Sequence, residues 1–115
     1  MAKDNRQKIR RQKMKFSYDS KMDDLFIFDT SSKSKGSIEI GDLILDLDKN
    51  KKIVGVEIIN ATKFLKNLDV KITKAFLEGL KNAKFDLAKQ KNWTFLKINL
   101  TSANQKLNPI VSVAF

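Results

Sequence analysis

Neither cysteine nor histidine occurs anywhere in the 115 residues. Disulfides, thiolate and imidazole metal ligands, nucleophilic thiols and imidazole bases are excluded together, and most hydrolytic constellations go with them. Proline occurs once, at position 109, and glycine four times. There is accordingly no proline-rich linker, and no glycine-rich loop able to cradle a phosphate. No apolar run approaches the roughly 18 residues that a membrane-spanning helix needs. The N-terminus also lacks the apolar stretch of a secretory signal, so the chain reads as a cytoplasmic protein with no membrane contact and no cofactor motif.

What the chain does have is positive charge, unevenly distributed. Lys3, Arg6, Lys8, Arg10, Arg11, Lys13 and Lys15 face a single acid, Asp4, in the first fifteen residues, a charge of +6. Residues 16–60 carry six bases and nine acids, whereas residues 61–115 carry ten bases and three acids. Composition therefore divides the chain into a basic flexible arm, residues 1–15, and one folded domain, residues 16–115. Like charges collected in this way point to a polyanionic partner, RNA or DNA, contacted by the arm and by the C-terminal half. Ile9 and Met14 form no apolar stripe, which disfavours a membrane-surface helix.

Hydrophobic periodicity predicts strands, then helices, then strands. Lys15–Asp19 is the first strand, and the turn through Ser20–Asp24 follows. Leu25-Phe26-Ile27-Phe28, apolar on both faces, predicts a central strand covered on both sides. Ser37–Ile40 and Leu43–Asp48 alternate around the Gly41-Asp42 turn, and Ile53–Ile59 is a further strand dense in β-branched residues. Asn60 is positioned to cap a short helix over 61–68 with Phe64, Leu65 and Leu68 on one side. Thr73 is an N-cap candidate for a second helix, with Ile72 placed to staple on Leu77 and a stripe of Phe76, Leu77, Leu80 and Ala83 that takes Gly79 inside. Strands resume at Phe85–Lys89, Trp93–Thr101 and Leu107–Phe115, and Pro109 assigns the last of these to an edge. The predicted fold class is α+β: an antiparallel β-sheet or curled half-barrel of six to eight short strands with one or two packed helices.

Three constellations invite a functional reading. Asp46, Asp48, Asn50 and Glu57 meet the carboxylate spacing of a calcium-binding helical-hand loop. The position that requires glycine is Lys51, however, and the flanks are strand-like, so a polar hairpin turn is favoured. Acidic pairs such as Asp23-Asp24, or Glu39 with Glu57, would need environments that drive their pKa values apart to act as acid and base. Trp93 and Phe95 share a strand face with Lys97 and Asn99, opposite Thr94, Leu96, Ile98 and Leu100. Exposed aromatic and basic residues on a strand are what single-stranded nucleic acid binders use for base stacking; packing beneath a helix or a second subunit is the alternative.

Tyr18-Asp19, Asp23-Asp24-Leu25-Phe26-Ile27, Ile38-Glu39-Ile40, Leu43 to Asp48 and Ile53 to Ala61, with its Val-Gly-Val-Glu-Ile core, resemble domain-of-unknown-function family 2283 over residues 18–65. Members are small bacterial and archaeal proteins. The resemblance implies a small antiparallel sheet ending in a helix and assigns no catalytic residue.

Taken together, the residues predict a non-enzymatic binding protein. Its nucleic-acid contacts would be Lys3, Arg6, Lys8, Arg10, Arg11, Lys13, Lys15, Trp93, Phe95 and Lys97. A protein-interaction module resembling a small antitoxin is the second expectation, and an acid- or metal-dependent enzyme the third. Open sheet edges further predict a homodimer.

Overall fold

The computed structural model describes residues 13–114. Strands β1 (Met14–Asp19), β2 (Asp24–Asp29), β3 (Gly36–Ile40), β4 (Leu43–Leu47) and β5 (Ile53–Ile59) form an antiparallel sheet in the order β1-β2-β5-β4-β3. Two short helices follow, α1 (Ala61–Lys66) and α2 (Lys74–Glu78). A long hairpin then pairs β6 (Leu80–Gln90) with β7 (Trp93–Ser102) along its whole length. On its other side β7 pairs with two short strands, β8 (Lys106–Leu107) and β9 (Ile110–Val113).

The fold is α+β, as expected, with nine strands among the described residues in two open sheets. That exceeds the six to eight expected in one sheet or half-barrel. Two departures from the predicted elements stand out, one lengthening a strand and one adding a strand. The predicted stripe Phe76, Leu77, Leu80 and Ala83 is divided: Gly79 caps α2, and Leu80 and Ala83 belong to β6. Asn108-Pro109 splits the last strand, because proline lacks the N–H a ladder requires. The carbonyl of Pro109 still accepts from Ile98 N at 2.9 Å, and both halves lie on the edge side of β7.

The two sheets and both helices enclose one core. Leu25, Ile27, Leu43, Leu45, Val56 and Ile58 from the first sheet meet Ala83, Phe85, Leu96, Ile98 and Leu100 from the second, with Leu65, Ile72 and Leu77 from the helical connection between them. Each fully buried Leu or Ile contributes roughly 1.5–3 kcal/mol relative to exposure. The sheets also touch through a backbone-to-side-chain contact, in which Phe85 N donates to Met14 Sδ at 3.4 Å.

Strand β2 is interior, as predicted, but only one of its faces is covered. Leu25 and Ile27 are fully buried, whereas Phe26 and Phe28 are half-buried on the opposite face and stack on each other with centroids 4.8 Å apart. Gly55 lies where a β-bulge opens between Asp46 and Leu47. A Cβ at Gly55 would meet Asp46 Oδ2 at 2.8 Å, so the glycine makes room for that carboxylate.

Candidate nucleic-acid interface

Strand alternation builds the aromatic face of the second sheet. From Trp93 to Leu100 of β7, even-numbered residues are buried in the core and odd-numbered ones point away. Trp93 is 49% exposed and Phe95 37%, with Lys97 exposed beyond them. Among the described residues no helix covers these rings; α1 and α2 contribute to the opposite face through the core. The two aromatic Cα positions lie about 6.6 Å apart along the strand, twice the rise per residue.

The neighbouring strands complete the face. Register places Ala88 and Ser112 on either side of Phe95, Gln90 beside Trp93, Lys84 beside Asn99, and Asp86 and Ile110 on either side of Lys97. Small flanking side chains leave the Phe95 ring open to a planar partner. Asp86 is the one acid there, and its carboxylate already accepts from Asn99 Nδ2 at 2.8 Å. Residues 80–114 carry six lysines against Asp86, a charge of +5. Lys84, Ile110 and Ser112 escaped sequence reading because β6 is longer at its start than its apolar residues suggest and β9 is set by tertiary register.

Of the other expected contact residues, Lys3, Arg6, Lys8, Arg10 and Arg11 lie outside the described residues. Lys15 belongs to β1, where it pairs with Phe28 on the outer face of the first sheet, and Lys13 is exposed just before it. The structure therefore groups Trp93, Phe95 and Lys97, and places Lys13 and Lys15 on the other sheet.

Three acids of the N-terminal half are occupied in turns. Asp19 accepts from the backbone N of Lys21 and Met22, Asp29 from the N and Oγ of Ser31, and Asp48 from the N of Asn50 and Lys52. Lys51 adopts the left-handed conformation, φ 64°, in the Asp48 turn, which is a polar hairpin end and not a helical-hand loop. Among the described residues no group of three acids is arranged to hold a metal ion.

Asp23 performs the capping expected of Asn60. Asn60 makes no side-chain cap, and instead Thr62 N and Oγ1 donate to the Asp23 carboxylate at 3.1 and 2.7 Å, while Tyr18 Oη donates at 2.5 Å. Burial works against ionised Asp23, but the Tyr18 and Thr62 hydrogen bonds outweigh it and hold the carboxyl below its usual range. Burial, reinforced by the hydrogen bond to Asp23, pushes the Tyr18 hydroxyl up to about 12.

A second carboxylate group lies on the outer face of the first sheet. A hydrogen bond to Asp24, burial, and the charges of Asp24 and Asp46 raise Glu57 to about 7, and burial also raises Asp46. Asp24 Oδ1 is buried with no donor. Glu57 therefore holds its proton to higher pH than an ordinary carboxyl.

An uncharacterized protein of the archaeon Methanocaldococcus jannaschii is 40% identical over 57 residues, covering 50% of this chain and 48% of that protein. The chain thus aligns with about half the length of that curated relative. No solved structure matches it. Residues 15–61, from β1 to the first residue of α1, match the family described as protein of unknown function DUF2283, the family that this segment resembles in sequence.

Proposed function

We propose that this is a non-enzymatic nucleic-acid-binding protein whose principal surface is the outer face of the second sheet. One observation carries the reading: Trp93 and Phe95 are both exposed on a strand face that also holds Lys97 and Lys84, in a region of charge +5. Exposed rings take unstacked bases, worth roughly 1–3 kcal/mol each, and lysines take phosphates without sequence preference. The basic residues Lys3, Arg6, Lys8, Arg10, Arg11, Lys13 and Lys15 add phosphate contacts through counterion release.

Trp93 is the chain's single tryptophan, so its fluorescence reports on this surface alone. Titration with a mixed-sequence single-stranded oligonucleotide should quench it, with affinity falling as salt rises. Trp93→Ala and Phe95→Ala, followed by anisotropy of a labelled oligonucleotide, should each weaken binding by about 5- to 150-fold, the equivalent of the stacking energy. Removal of residues 1–12, which spares β1, should shallow the salt dependence. Binding that is unaffected by both aromatic substitutions would remove this reading.

A further inference from the structure

The second sheet's outer face is basic; the first sheet's is its opposite. Register places Phe26, Phe28, Ile44 and Ile59 on it, all outside the core cluster, together with Asp24, Glu39, Asp46 and Glu57. Lys15 is the one base contributed by its strands. None of these four acids makes an ion pair among the described residues; Glu57 is raised by its hydrogen bond to Asp24, by burial and by the neighbouring acids, and Asp46 by burial. An apolar strip with stacked rings, bordered by carboxylates that have no cationic partner among the described residues, has the chemistry to receive lysine and arginine: stems on the rings, head groups on the acids.

We propose that this face is the docking surface for the chain's own basic segment, residues 1–12. Charge is the first argument, since those residues carry five bases against Asp4. Position is the second. The segment joins β1, an edge strand of this same sheet, at Lys13, whose carbonyl accepts from Thr30 N and Oγ1 at 2.8 and 2.9 Å. Reach is the third: twelve residues extend up to about 40 Å, and five strands span about 19 Å. A second copy laid on the face would set carboxylate against carboxylate, and a nucleic acid would be repelled. The docked segment is held in reserve, so phosphates compete with the first sheet for the same lysines and arginines.

The absence of cysteine makes the test direct, because Ala2→Cys in the full chain carries a single nitroxide label. At about 0.01 M salt, where screening extends over about 30 Å, the amides of Phe26, Ile44 and Glu57 should lose at least about half their NMR intensity; at about 1 M salt they should recover. Glu39→Gln, Asp46→Asn and Glu57→Gln combined should abolish the loss, with the remaining amide spectrum unchanged. Unbroadened amides at low salt overturn the proposal, as does broadening that survives the triple substitution. Broadening seen only when labelled and isotope-enriched copies are mixed also overturns it, assigning the segment to another molecule. No nucleic acid is present, so failure here leaves the proposed function standing, and failure to bind oligonucleotide leaves the docking intact.

Discussion

The two sheets of this protein use their charged side chains in opposite ways. In the first, carboxylates close the structure: Asp19, Asp29 and Asp48 bind turn backbone, and Asp23 joins β1 to α1. In the second, Lys81, Lys84, Lys89, Lys91, Lys97 and Lys106 make no ion pair among the described residues, and only Asp86 is tied down, by Asn99. Charge that satisfies local backbone is already committed, whereas charge left in solvent beside exposed rings remains available to a partner. Net charge alone would have treated both halves as surface.

The comparison is tested most severely at Asp23. If acids of the first sheet are structural, Asp23→Ala strips Thr62 N and Tyr18 Oη of their acceptor and should cost about 2–3 kcal/mol in chemical denaturation. A loss under about 0.5 kcal/mol would mean the carboxylate is not a fastener. Glu57 contrasts with it, as an acid the first sheet carries at a cost. Its folded pKa of about 7 exceeds the ordinary 4.5, so the folded state binds more protons than the unfolded state between these values and stability falls as pH rises through that window. Glu57→Gln should therefore raise the melting temperature at pH 8 and leave it nearly unchanged at pH 4; an equal rise at both would refute the proton-linked cost. The smallest effect is expected in the second sheet. Thr94 Oγ1 is buried without a partner, and Thr94→Val should stabilise by about 1 kcal/mol or less while leaving oligonucleotide affinity unchanged.

Period-two alternation made β4 and β7 legible from the sequence, because burial on one side of a strand leaves a direct trace in residue order, whereas β2 was legible only as an apolar run that hid which face is covered. It failed for residues 76–83, where Phe76, Leu77, Leu80 and Ala83 satisfy a helical stripe, although Leu80 and Ala83 are strand. Gly79 was the available signal, since a glycine past four or five helical residues more often ends a helix than sits inside it. The aromatic face was legible for the same reason as its strand. The Asp23–Thr62 cap and the Asp24–Glu57 pair were not, because partners 39 and 33 positions apart meet only once sheet register is fixed.

The Tyr18–Asp23–Thr62 junction also bears on how self-contained such a segment is. It ties the first strand of the DUF2283-matched region, residues 15–61, to Thr62 just past its end, so the five-stranded sheet is fastened by the first residue beyond the match. What it does not bring is a lid: Leu25, Ile27, Leu45 and Val56 are covered by residues beyond position 61. The five-stranded sheet therefore takes its apolar underside from outside the matched segment, and the far side of that covering layer is the one that carries Trp93 and Phe95.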